Sequence, residues 1–397
     1  MQVAVVGAGI IGLTVAHRLA GQGHEVTVIA PDQPHHASTG NAGTIAGYAV
    51  DPVGTPEVLR DIPSLLFSRT SPLAIHRPSV LSLAPWLARF LRQCLPAAAQ
   101  RNRLALAKLL AGVSEAWQEL ARAVGATALL RESGAIYAYD SAQALAATIP
   151  GLERRRALGA PVEVLSAEAL SALEPGLPSG RFAGGALFPG TLWLTDPARM
   201  LDHLASTPRL REKVTALRRL GAGWRIETDA GAHQAEAVVL AAGAWSAGLL
   251  RPLGVRIPLT AERGYHLEYD LPAMPLTRPV CPVSRGFYMV PMATGLRAAG
   301  TVELGGIGAP PSPHRWERLD EGMRGVFPHL PPPVRRWMGL RPSIPDSLPV
   351  IGPALPGLIL AFGHGHIGLT LAPRTADLVA QVLGGRTLPL AVSPQRF

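Results

Sequence analysis

Residues 1–30, MQVAVVGAGIIGLTVAHRLAGQGHEVTVIA, read as a strand, a glycine turn, a helix and a second strand. After Gln2 the run Val3-Ala4-Val5-Val6 has no polar break, as expected of a strand buried on both faces of a parallel sheet. Gly7-Ala8-Gly9-Ile10-Ile11-Gly12 supplies a GxGxxG directly after it. Gly7 permits the tight turn, Gly9 lets backbone approach a pyrophosphate, and Gly12 lets the helix from Leu13 to Ala20 pack on the strand. The first N–H groups of that helix then face the phosphates. Gly21-Gln22-Gly23-His24 ends the helix, and Glu25 to Ile29 is the second strand. In this context the glycines mark a site for an adenine dinucleotide. The position that commonly carries an acid for the ribose hydroxyls is Ala30. Asp32, near the usual spacing of about 20 residues, either reaches the ribose from the next loop or is a solvated turn residue beside Pro31.

The 397 residues have room for two domains at about 150 residues each. A hydrophobic content of 48% with only 16% charged residues describes a well-buried globular enzyme and excludes a disordered chain. The formal charge of +9 favours anionic ligands, acidic partners or an anionic membrane surface. The basic residues are scattered arginines, so nucleic acid is not expected as a partner. The densest cluster, Arg154-Arg155-Arg156 after Glu153, reads as a solvated helix face. Cys94 and Cys281 lack CxxC spacing, so neither a metal site nor a disulfide framework is expected, in keeping with a reducing cytoplasm. No basic n-region opens the chain, and no stretch reaches the ~18 unbroken apolar residues of a membrane span.

From Val80 to Val124 the pattern is helical. Trp86, Leu87, Phe90, Leu91 and Leu95 form one stripe; Leu104, Leu106, Leu109, Leu110, Val113, Trp117 and Leu120 form a second, with Pro96 between them. This stretch reads as a helical layer of a second domain or as a helix on a membrane surface. Ala135 to Tyr139 reads as a strand. From about Thr195 a further nucleotide-domain segment begins: a helix opened by Asp196-Pro197, strands at Lys213–Leu217 and Trp224–Thr228, and the run Ala237–Ser246, whose small residues let backbone pass close to a ligand. Short alternating strands at 265–269, 286–291 and 296–302 predict an antiparallel sheet suited to covering a cofactor. Leu358–Phe362 is a buried strand that runs through Gly363-His364-Gly365-His366-Ile367-Gly368-Leu369-Thr370 into a helix ending near Val382.

Taken in order, five motifs resemble the D-amino-acid oxidase/dehydrogenase superfamily of FAD enzymes: GAGIIG, the loop Ser38-Thr39-Gly40-Asn41-Ala42-Gly43, VVLAAGAWS, the turn Gly339-Leu340-Arg341-Pro342, and GHGHIGLT. The likeness spans nearly the whole chain, and RPSIPDSLPVIGP with GHGHIGLTLAP is most similar to bacterial D-amino-acid and D-hydroxyproline dehydrogenases. The resemblance implies an α/β protein. A Rossmann-like FAD-binding domain built from residues 1–75, 155–250 and 335–397 would join an α+β substrate domain, 76–154 and 251–334, with a mainly antiparallel sheet. It places Val214 at the adenine, Ala242, Gly243 and Trp245 along the dinucleotide, and Ser38, Thr39, Asn41, Ala42 and Gly43 near the pyrophosphate and flavin. Gly365, His366, Ile367, Gly368, Leu369 and Thr370 form a helix start whose N–H groups can stabilise negative charge on reduced flavin.

The activity so implied is dehydrogenation of a D-amino acid, D-proline or cis-4-hydroxy-D-proline above all, by hydride transfer from the α-carbon to flavin N5, giving an imine. Such a substrate must be clamped, and an arginine fork pairs bidentately with a carboxylate. Arg341 stands in the turn where the family places that clamp. Tyr265, His266 and Tyr288 are candidates for the opposite wall, or else sheet-packing residues, and His366 lies beside the flavin. An oxidase of glycine or sarcosine would share every flavin motif, as would the flavin subunit of a multi-subunit dehydrogenase. The electron acceptor (quinone, oxygen or a partner subunit), homo- or hetero-oligomer formation and peripheral contact with an inner membrane all stay open at this level.

Overall fold

The computed structural model describes residues 1–32, 37–59 and 73–397. Gln2–Val6 is the centre of a six-stranded sheet. Its order is Arg209–Leu210, Glu25–Ile29, Gln2–Val6, Ala237–Leu240, Leu358–Phe362 and Val350–Leu355. The first five strands are parallel and the last is antiparallel. The central strands Gln2–Val6, Ala237–Leu240 and Leu358–Phe362 are apolar and buried on both faces, which helices cover. One cover is the helix Ile10–Ala20, which starts three residues before the point read from sequence. Another is Gly368–Leu383, which packs against it.

The second sheet is mainly antiparallel. It runs Arg335–Ser343, Thr260–Tyr269, Gly295–Leu304, Phe287–Met292, Val280–Pro282, Ala135–Tyr139, Gly184–Phe188 and Glu163–Ser166, with Leu73–Ile75 beside Gly295–Leu304. Strand alternation sorts its side chains by face. Arg341 stands opposite Glu262, Gly339 opposite Gly264 and Trp337 opposite His266, so these six share one face. Tyr265 belongs to the other.

Two expectations need correction. The helical stretch does not form one layer of the second domain: Val80–Gln93 packs on Leu304 of the second sheet, whereas Leu106, Leu109, Val113, Trp117 and Leu120 share a core with Val3, Val5, Leu13 and Leu371. Gly112, at φ 72°, breaks the second stripe into helices Pro96–Leu110 and Val113–Ala123, and Leu91, Leu95 and Leu104 remain exposed. Likewise Arg155 is not on a solvated face. It bonds Asp51 at 2.8 Å beneath Tyr137 and Phe188, because that carboxylate and those rings compensate its desolvation. Among the described residues no helix is long and apolar enough to cross a membrane.

Trp117 ties the helical layer to the site. Its ring is fully buried and its Nε1 donates to the carbonyls of Leu369 and Thr370 at 3.1 Å. Trp117→Ala should therefore cost about 3–5 kcal/mol of stability, read as a lower midpoint in chemical denaturation.

Candidate functional site

A cavity of about 980 Å³ runs between the two sheets. One part is lined by Gly7, Gly9, Ile10, Ile11, Ala30, Asp32, Ser38, Val214, Ala242, Gly243 and Trp245. The other is lined by Tyr48, Tyr137, Tyr288, Trp337, Arg341 and His366, with Asn41, Ala42 and the Gly365–Thr370 segment also on the wall.

The glycine turn is set by contact. Gly7 has φ 119°, and a Cβ there would lie 2.3 Å from the Ala241 carbonyl oxygen. Gly12 does not line the cavity; a Cβ on it would lie 1.9 Å from the Gly7 carbonyl oxygen, so its part is to let helix and turn touch. No acid occupies the first turn of the helix that follows, and the Ser38 hydroxyl accepts from the Ile10 amide at 3.0 Å. Gly43 and Thr39 are also behind the wall. Gly43, at φ 72°, donates its amide to Asn41 Oδ1 at 2.8 Å and closes the loop turn, while the Thr39 carbonyl accepts from Arg297. Asp32 lines the cavity edge, but its carboxylate is taken up by Arg209 at 3.1 Å and Arg211 at 2.7 Å. No carboxylate replaces it at Ala30.

These residues fit a bound dinucleotide cofactor. The wall at Gly7 has no room for a side chain, Gly9 presents bare backbone beside it, and both helix starts that face the cavity, at Ile10 and Gly368, lack an acid in the first turn. Positive helix ends without a carboxylate are suited to phosphate and to a negatively charged ring edge. The Thr370 hydroxyl, which accepts from the Ala46 amide at 3.0 Å, fastens the second helix start to the loop beside it.

Arg341 makes no hydrogen bond or ion pair with any described residue, though burial and the facing Glu262 both act on it. Its guanidinium lies over Gly264, where an added Cβ would be 2.6 Å away. Burial lowers its pKa and Glu262 opposes that shift; burial in turn raises the pKa of Glu262. Beside it His366 is open to the cavity, and desolvation and the Arg341 charge bring its pKa down to about 4. The imidazole is neutral at ordinary pH.

Two of the expected wall residues are engaged within the protein, although Tyr265 does line the cavity. The Tyr265 hydroxyl donates to Glu303 at 2.6 Å and its ring meets Trp316 edge-on at 5.2 Å, on the sheet face away from Arg341. His266 is on the cavity face but behind the wall: it stacks on Trp337 and its Nδ1 donates to the Gly40 carbonyl at 3.0 Å. His266 therefore stands behind the wall, whereas Tyr265 lines the cavity with its hydroxyl already committed to Glu303. Tyr288 does line the cavity, joined by Tyr48 and Tyr137, which the sequence reading missed. Alternation in Ala135–Tyr139 was the available signal for Tyr137; Tyr48 offered none. Thr301, a buried β-branched residue at φ 55° with an unpartnered hydroxyl, also lines the cavity beside a register shift between Gly264 and Tyr265.

Comparison with known proteins agrees with this geometry. A family model described as FAD dependent oxidoreductase matches residues 2–382. A D-amino-acid oxidase of Bradyrhizobium diazoefficiens is 34% identical, covering 100% of this chain and 98% of that protein. A D-amino acid dehydrogenase of Cereibacter sphaeroides is 33% identical over 97% of this chain and 92% of its own. Among solved structures, glycine oxidase from Geobacillus kaustophilus superposes with a TM-score of 0.75 at 25% identity, covering 100% of this chain and 98% of that one.

The buried histidines set an acid limit. Desolvation holds His266 at about 4 and His364, which bonds Thr375 Oγ1 at 2.9 Å, at about 3. Both lie below the ordinary 6.5, so the stability they confer is complete above that value and is lost as pH falls toward the folded values, at about 1.4 kcal/mol per unit. Melting temperature should drop between about pH 6.5 and 4, and His266→Asn, which keeps a donor for Gly40, should make that limb shallower.

Proposed function

Since the chain belongs to the family of FAD-dependent oxidoreductases, we propose that it oxidises a D-amino acid, with D-proline or cis-4-hydroxy-D-proline as the preferred substrate. The observation that carries this reading is Arg341, a cation in the cavity that the protein leaves without a hydrogen-bonded partner. A half-buried guanidinium fork without a hydrogen-bonded partner is costly, and a substrate carboxylate satisfies it bidentately. The names of the curated relatives support the D-amino acid class. The cyclic substrates are favoured by the likeness of the Arg341 and His366 segments to D-hydroxyproline dehydrogenases.

FAD, when bound, supplies an acceptor for the hydride from the substrate α-carbon. Gly7, Gly9, Ser38, Val214, Ala242, Gly243, Trp245 and the Gly365–Thr370 segment are the residues we assign to holding it. Asp32 is left a marginal role at the ribose, because two arginines already occupy it. Arg341 fixes the substrate carboxylate and therefore the direction in which the α-hydrogen points. His366, being neutral, adds no second charge to the clamp. Tyr288 closes the opposite side. A proline-type substrate leaves as a cyclic imine; a primary amine leaves as an imine that hydrolyses to a 2-oxo acid.

The likeness to glycine oxidase favours one second reading, a glycine or sarcosine oxidase on the same clamp. Anaerobic mixing of the yellow protein with cis-4-hydroxy-D-proline, D-proline, D-alanine, their L forms, glycine and sarcosine separates the two. Bleaching of oxidised flavin by the cyclic D-amino acids and not by sarcosine is the expected result; bleaching by glycine and sarcosine alone overturns it. Arg341→Ala should lower kcat/KM by about 100-fold or more while flavin stays bound. Gly264→Ala, whose methyl displaces the guanidinium, should raise KM in the same direction with little loss of flavin.

A further inference from the structure

Three tyrosines from separate parts of the chain meet on the cavity wall: Tyr48, Tyr137 of the strand Ala135–Tyr139, and Tyr288 of Phe287–Met292. The direction of their hydrogen bonds is fixed by counting protons. Tyr288 donates to the Tyr137 oxygen at 3.2 Å. A phenol has one proton, so Tyr288 has none left for Tyr48, and the 2.9 Å contact between those two must run from Tyr48 to Tyr288. The Arg155 guanidinium lies over the Tyr137 ring, 5.6 Å from its centroid, and its charge is anchored by Asp51, itself shared with Arg103 at 2.7 Å. The Tyr137 oxygen thus receives one donor, Tyr288, and no described residue accepts its proton. Burial raises the pKa of all three phenols, which keeps that proton in place. Tyr137 is half-buried, with part of its surface open to the cavity.

We propose that Tyr137 is the donor of a second subsite, giving its O–H to an oxygen on the side chain or ring of the substrate while Arg341 holds the carboxylate. This rests on the amino-acid reading above and deepens it: the favoured substrates are amino acids with a hydroxyl or carbonyl oxygen beyond the α-carbon. The chain Tyr48 to Tyr288 to Tyr137, with the Arg155 guanidinium against the last ring, turns one phenol into a donor of fixed direction. An apolar side chain at that wall leaves the donor unpaired, and that cost is the source of discrimination.

The test compares two matched pairs, D-proline with cis-4-hydroxy-D-proline and D-alanine with D-serine, by kcat/KM with a dye acceptor. Wild-type protein should prefer the hydroxylated member of at least one pair by about tenfold. Tyr137→Phe should remove that preference by lowering the constant for the hydroxylated member alone, the parent compound staying within about twofold and so reporting an intact fold. Equal losses for both members, or a wild type indifferent to the hydroxyl, overturn the subsite and leave the amino-acid reading standing. A wild type that no amino acid reduces overturns both. Should the variant fail to fold, the wild-type preference decides alone.

Discussion

The structure depends on how closely two pieces of backbone come together at the first turn. The Gly12 α-carbon sits against the Gly7 carbonyl and Gly7 sits against Ala241, in each case nearer than a methyl group allows. The first contact brings the helix Ile10–Ala20 down onto the central strand; the second brings the neighbouring strand Ala237–Leu240 to the same level. Together they make a floor without side chains beneath a helix end that carries no acid. Everything else in the nucleotide half is arranged around that floor, including the second helix start at Gly368, which Trp117 holds from behind.

The other end of the cavity is organised by a different constraint, a half-buried cation. Among the described residues the charged side chains lining the cavity, besides histidine, are Asp32, Lys213, Asp229 and Arg341. The first three lie with Ala30 and Val214 at the nucleotide end. Arg341 stands apart from them. Its desolvation is offset in part by Glu262 across the strand pair, but Glu262 is itself buried and pulled toward the neutral form. The guanidinium therefore remains short of a hydrogen-bonded anion, and Gly264 leaves it a flat surface to lie on.

What could be read from the chain follows from how local the physics is. The strands Gln2–Val6, Glu25–Ile29, Ala135–Tyr139 and Leu358–Phe362 have the limits read from their apolar runs, and the glycine spacings carry their own steric reason. The faces of the second sheet were not legible, because a strand's pattern shows that it alternates but not which face meets the cavity. Tyr265 and His266 are adjacent and were equally plausible as wall residues. Tyr265 lines the cavity but commits its hydroxyl to Glu303, and His266 is spent on the Gly40 carbonyl. The buried state of Arg155 was hidden for a related reason: its partners Asp51 and Tyr137 come from other segments, so its own sequence neighbourhood described an exposed helix. Thr301 gave no signal at all, since its positive φ arises where two strands slip register.

The electrostatics of the substrate end bear on which form of the ligand it can accept. With His366 neutral and the tyrosines held protonated by burial, the wall presents one positive charge and several dipoles. Such a site attracts a carboxylate strongly, and the carboxyl facing Arg341, Glu262, is pushed by burial toward the neutral form, in which it does little to stabilise an ammonium group. The zwitterion that dominates in solution is therefore disfavoured relative to the amine-neutral anion once water is excluded. That bias matters because loss of hydride from the α-carbon is assisted by a free nitrogen lone pair and opposed by a protonated one. On the amino-acid reading proposed above, one guanidinium does two things: it orients the substrate carboxylate, and, with its facing carboxyl pushed toward the neutral form by burial, it favours the protonation state that can react.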